Sequence, residues 1–99
     1  MIVFTRTFTP VPGRLGESQK FAQERVAALK ESYGLEVAWY ARFGGPVGQL
    51  NMVSYHESLA ELEEVRRKII ADVGASKLPS PEPGLLIPGE SQDAIWLKM

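Results

Sequence analysis

The chain contains no cysteine and a single histidine, His56. Without cysteine there is no disulfide scaffold and no thiolate nucleophile. One histidine alone does not make a zinc centre, and no nucleophile–histidine–acid set stands out. Neither sign of charge dominates: Lys and Arg number 11 against 12 Asp and Glu, a formal net charge of -1. That balance lacks the positive field needed to neutralise phosphates, so no nucleic-acid partner is expected. The short basic run Arg66-Arg67-Lys68 lies beside acidic residues and does not alter this expectation. Long apolar runs are also missing. No window approaches the roughly 20 residues of a membrane span, so no membrane partner is expected either. Met1 to Thr9 alternates apolar and polar residues around Arg6, unlike the cationic-then-apolar order of a signal peptide. A cytoplasmic location is the expectation. Gly44-Gly45-Pro46-Val47-Gly48 lacks the lysine and the strand-to-helix setting of a phosphate loop.

What is present is an ordinary globular composition, 44% hydrophobic and 23% charged over 99 residues. It supports one domain spanning 1–99. Ile2, Phe4, Arg6 and Phe8 alternate with Val3, Thr5 and Thr7, which predicts a first strand, stopped by Pro10-Val11-Pro12-Gly13. Helical spacing of Phe21, Arg25, Ala28 and Leu29 predicts a helix from about Arg14 or Glu17 to Tyr33, ended by Gly34. A second strand is expected over Leu35–Phe43, a turn at Gly44-Gly45-Pro46, and a third strand over Val47–His56. In the third, Asn51, Val53 and Tyr55 share one face and Leu50, Met52, Ser54 and His56 the other. Ser58 followed by Glu61 forms a capping box, opening a helix with the stripe Leu59, Leu62, Val65, Ile69 and Val73 and ending at Gly74. Lys77–Gln92 reads as a long proline-rich loop in which Leu85-Leu86-Ile87 is too apolar to stay in water. A last strand is expected over Asp93–Lys98, with Ile95 and Leu97 opposite Trp96.

The order is βαββαβ, an α+β class with a four-stranded antiparallel sheet. Two helices cover only one face of such a sheet. A solvated second face alternates cleanly between apolar and polar residues. Here Trp39 is followed by Tyr40, Leu50 and Met52 stand opposite Val53 and Tyr55, and Trp96 stands opposite Ile95 and Leu97. Both faces therefore leave water, and a homodimer through the second sheet face is expected. At 99 residues the chain buries only about 60–65% of its unfolded surface, so a second copy also adds to a small core. The alternative is a monomer with Leu85-Leu86-Ile87 folded across the open face.

The run Gly44-Gly45-Pro46 through Gln49-Leu50-Asn51, then Tyr55-His56-Glu57-Ser58-Leu59 and on to Arg66, resembles the central segment of NIPSNAP-type domains. Pro12-Gly13 before the first helix is similar to them as well. The resemblance implies a ferredoxin-like subunit of the dimeric α+β barrel group, whose sheets pack face to face. It implies a site in the cavity between sheet and helices of each subunit. Relatives in that group include cofactor-independent monooxygenases acting on polyketides or quinols, haem-degrading monooxygenases, small isomerases and proteins without known activity. The haem-degrading members combine an asparagine on the first strand with a histidine on the second helix. Here Thr5 and Arg6 stand on the first strand and His56 precedes the helix, so haem is not expected and no cofactor is assigned.

Several polar residues on apolar strands are candidates for chemistry. His56, beside the positive end of the second helix, is either a neutral base or a strand-end residue with a local hydrogen bond. Asn51 sits mid-strand, where asparagine is disfavoured, and holds either a substrate oxygen or a polar neighbour. Arg6 presents five fixed donors to a carboxylate or enolate, or else pairs with Glu36 or Glu90. His56, Asn51 and Arg6 are the expected catalytic residues. Tyr40, Arg42 and Tyr55 are expected to line the same space and bind substrate, with no metal ligand among them. Two functions stay open: a homodimeric small-molecule pocket acting as a cofactor-independent monooxygenase or isomerase, and a non-catalytic dimeric interaction or ligand-binding module.

Overall fold

The computed structural model describes residues 1–42, 48–75, 77–78 and 83–99. Six elements follow the predicted order: β1 (Ile2–Phe8), α1 (Leu15–Tyr33), β2 (Val37–Ala41), β3 (Leu50–His56), α2 (Leu59–Gly74) and β4 (Gln92–Leu97). The strands form one sheet in the order β2-β3-β1-β4, and every neighbouring pair is antiparallel. This is the ferredoxin-like βαββαβ arrangement.

The helices start and stop where local chemistry dictates. Ser58 Oγ accepts the backbone N–H of Glu61 at 3.2 Å, capping α2. The Glu61 carboxylate reaches back to the N–H of Glu57 at 3.3 Å, one residue earlier than the capping-box pattern predicts. At the end of α1, Gly34 takes φ 64, a left-handed conformation suited to glycine, and its N–H closes on Lys30. Gly74 does not end α2 in this way. It remains the last helical residue and Ala75 forms the cap. Tyr33 donates a hydrogen bond to Asp72, tying the ends of the two helices together.

Strand limits differ from expectation by one to three residues. β2 begins at Val37, not Leu35. β3 begins at Leu50, after Gly48, whose φ of 89 interrupts extended backbone. Phe43, Val47 and the expected Gly44-Gly45-Pro46 turn lie outside the described residues. β4 is shifted one residue towards the N-terminus, although Lys98 still donates its N–H to Met1.

One sheet face packs against the helices. Ile2 and Phe4 of β1 meet Leu62 of α2 in the core, with Met52 of β3 alongside. In α1 the buried residues are Ser18, Ala22 and Leu29. Two of these are small, which lets the helix backbone come close to the sheet. The described part of the 77–92 loop does not cross the other face. Val11 donates to the carbonyl of Leu85, Ile87 donates to Thr9, and Leu86 bridges Pro10, so the loop lies along the chain that follows β1.

The second sheet face therefore has no cover among the described elements. Cross-strand register sets out three rows on it: Tyr55–Val3–Trp96, Ala38–Val53–Thr5–Ala94 and Tyr40–Asn51–Thr7–Gln92. None of these eleven side chains is charged. Tyr40 and Tyr55 are each 54% exposed and Trp96 61%.

Candidate functional site

Strand alternation decides what the site contains. On β1 and β3, the even-numbered residues face the helices and the odd-numbered residues face away. Val37 and Trp39 of β2 face the helices as well. Between this face and the helices lies a cavity of about 360 Å³. Its floor includes Phe4, Arg6, Phe8, Trp39, Met52, Ser54 and His56. Its roof comes from Phe21, Arg25 and Leu29 of α1 and from Leu62, Val65, Arg66, Ile69, Ile70 and Val73 of α2. The size and the mainly apolar walls suit a small organic molecule.

His56 is 3% exposed. Its Nε2 shares a 2.8 Å hydrogen bond with Ser54 Oγ, two residues back on the same strand face. Its Nδ1 has no hydrogen-bond partner among the described residues. Burial pushes the imidazole below its ordinary pKa, while Glu61 pulls weakly the other way. The ring is neutral near pH 7; in the tautomer whose Nε2–H donates to Ser54, the Nδ1 lone pair is free, the property a general base requires. Trp39 Nε1, a donor only, is also buried without a partner among the described residues. The indole stacks on Phe8 at 5.5 Å.

The cationic part of the lining is the second feature. Arg6 lies directly opposite Asp93 in the β1–β4 register and binds it through two bonds, Nε to Oδ1 at 2.6 Å and Nη2 to Oδ2 at 2.9 Å. That pairing raises the guanidinium pKa and lowers that of the Asp93 carboxyl. The partner is thus Asp93 and neither Glu36 nor Glu90; Glu36 pairs with Lys30 at 3.5 Å. Arg66 Nη2 stands 4.0 Å from Asp93 Oδ2. The guanidinium carbons of Arg6 and Arg66 each lie 5.6 Å from the centre of the Phe4 ring, within cation–π range. Burial, and then the like charge of Arg6, push the Arg25 guanidinium below its ordinary value.

The six residues singled out in the sequence do not converge. Arg6 and His56 line the cavity. Asn51, Tyr40 and Tyr55 project from the opposite sheet face, where Asn51 Oδ1 accepts a 3.5 Å hydrogen bond from Thr7. Arg42 follows β2 and donates to Gln49 Oε1 at 2.7 Å on the exposed surface. An oxyanion site of Arg6, Asn51 and Tyr55 within this chain is therefore excluded, because the sheet stands between them. Four lining residues were not expected to act: Ser54, Trp39, Arg25 and Arg66. Arg25 carried a legible signal, a cation set in the apolar stripe of α1. Arg66 did too, with Leu62, Val65, Ile69 and Ile70 around it at helical spacing. Among the described residues, no three of His, Cys, Asp and Glu gather as a metal site would require. No helix among them is long and apolar enough to cross a membrane.

No protein-family model and no curated protein sequence matches the chain. Solved structures do. An uncharacterised NIPSNAP domain protein from Burkholderia xenovorans superposes with a TM-score of 0.81 at 14% identity, covering 100% of this chain and 95% of that one. A NIPSNAP family protein from Agrobacterium tumefaciens gives a TM-score of 0.78 at 23% identity, covering 99% and 92%. A putative antibiotic biosynthesis monooxygenase from Deinococcus radiodurans gives 0.63 at 9% identity, covering 100% and 93%. The chain thus has the fold seen in NIPSNAP domain proteins, and that fold extends to a monooxygenase-type relative. At these identities the likeness concerns the fold alone.

Proposed function

We propose that this chain binds a small molecule between sheet and helices and moves a proton on it through His56, as a cofactor-independent monooxygenase or isomerase. The observation that carries the reading is a buried, neutral histidine, one nitrogen held by Ser54 and the other without a partner among the described residues, in the lining of an apolar cavity. Both reaction types share a first step in which a C–H or O–H proton passes from substrate to imidazole, leaving an oxyanion beside the arginines. The monooxygenase-type relative supports the first type by fold alone.

The test is deuterium exchange at the α-carbon of an enolisable aromatic ketone, β-tetralone, followed by proton NMR in D₂O. The wild type is expected to accelerate exchange. His56→Gln, which retains a hydrogen-bonding group beside Ser54, is expected to lose roughly 100- to 10,000-fold of the acceleration. Equal rates for the two proteins would remove His56 from the chemistry.

The same proposal includes a homodimer formed through the uncharged sheet face. A second copy suits that face because no like charges meet when it packs on itself. Each half-exposed aromatic there would bury on the order of 100 Å², worth about 2.5 kcal/mol. The alternative of an interaction module resting on the apolar loop loses its main support. Leu85 is 3% exposed, and Leu86 and Ile87 are half-buried along the chain that follows β1, so the apolar run offers a partner less surface than its sequence suggests.

A further inference from the structure

We infer that Trp39 determines what this cavity accepts: its indole N–H donates to an oxygen of an uncharged, elongated ligand whose far end reaches His56. The inference rests on the reading of the cavity as a ligand site given above and names the class of molecule that the site takes. Its first support is a coincidence of position. Among the described residues, two buried side-chain polar atoms have no hydrogen-bond partner, Trp39 Nε1 and His56 Nδ1, and both residues line the same cavity. Buried polar groups in folded proteins are otherwise almost all bonded, since each leaves water at a cost. Two such groups in the wall of one space are matched by one molecule that carries polar atoms of its own.

The chemistry of the two groups fixes the ends of the ligand. An indole nitrogen donates and does not accept, so the atom it meets is an acceptor. Phe8 does not serve: it stacks on a face of the indole, with ring centres 5.5 Å apart and planes 25° from parallel, whereas the N–H lies in the ring plane. A phenylalanine in place of Trp39 would stack there without burying a donor, so the N–H is a property that tryptophan adds. No charge is called for. Arg6 and Arg66 share Asp93, and Arg25 is likewise engaged within the protein, so these arginines do not wait for an anion. The acceptor is then a neutral oxygen, as in a ketone. Spacing sets the length. Trp39 stands opposite Met52, and His56 lies four positions further along β3, about 13 Å. An elongated molecule spans the two, with its oxygen at Trp39 and its acidic C–H or O–H at His56.

Methyl β-naphthyl ketone and β-isopropenylnaphthalene test the Trp39 end. They share a shape, and only the ketone carries an acceptor. The ratio of their affinities, measured by NMR titration in each protein, cancels packing losses common to both. In Trp39→Phe, which keeps a ring against Phe8, the ratio of ketone to alkene affinity is expected to fall at least about fivefold, the worth of a modest hydrogen bond. In His56→Gln it is expected to stay at the wild-type value. An unchanged ratio in Trp39→Phe, or a fall in His56→Gln alone, would overturn the inference and leave the proton-transfer reading to its own exchange test. Should Trp39→Phe not fold, the wild-type indole resonance serves instead. The ketone is expected to move the Trp39 N–H proton further downfield than the alkene does, because only the ketone accepts from it; equal shifts would overturn the inference. Binding of neither compound would remove the cavity reading, and the inference with it.

Discussion

His56 differs from an exposed histidine because burial holds it neutral. The unfolded chain protonates its histidine near the ordinary value of 6.5, and the folded chain does so only at lower pH. Between those two values the unfolded state binds more protons, so stability falls as pH falls through that window. Urea midpoints between pH 7.5 and 5.5 are expected to decline in the wild type and to stay nearly level in His56→Gln. The depressed Asp93 carboxyl does not confuse the reading, since the stability it contributes is lost only as pH falls below the carboxylate's ordinary 3.8. At this scale the sequence showed that Arg6 and His56 were out of place on apolar strand faces, and both line the cavity. Its error was to combine them with Asn51, Tyr40 and Tyr55. Asn51 and Tyr55 occupy odd positions of the strand whose even positions carry His56, so period-two alternation already placed them across the sheet.

The elements rest on short local signals, of which the Ser58 cap is the most testable. Ser58→Ala removes the acceptor for the Glu61 N–H and is expected to cost about 1 kcal/mol, or roughly 4–8 °C in Tm for a domain of this size. Calorimetric melting checks it; an unchanged Tm would mean that water replaces the cap at no cost. Strand alternation, this cap and the Gly34 terminus made the element order legible in full. Less legible was what the helices bury. Ser18 and Ala22 form much of the sheet-facing side of α1, yet small side chains leave no hydrophobic signal. Leu59 heads the predicted stripe of α2 and is nonetheless 48% exposed. Arg66 belongs to a short basic run, yet its apolar neighbours Leu62, Val65, Ile69 and Ile70 turn that side of the helix inward and set it in the cavity lining.

For the whole molecule, the sheet is a partition with an apolar–cationic cavity on one side and an uncharged aromatic face on the other. The two proposed roles are thereby separable. Trp96→Glu places a charge on the proposed dimer interface, at its β4 edge, and is expected to turn dimers into monomers in native mass spectrometry. Ligand binding on the far side of the sheet should survive. A monomeric wild type would show that the aromatic face needs no partner.

The two tryptophans report on the two sides, Trp39 in the cavity lining and Trp96 on the outer face. Uniformly ¹⁵N-labelled protein titrated with octanol, which needs only the apolar cavity, therefore tests the division most directly. The indole N–H resonance of Trp39 is expected to move saturably while that of Trp96 stays in place, each assigned from a single Trp→Phe variant. A stationary Trp39 resonance, or a saturable shift confined to Trp96, would contradict a ligand site between the sheet and its helices.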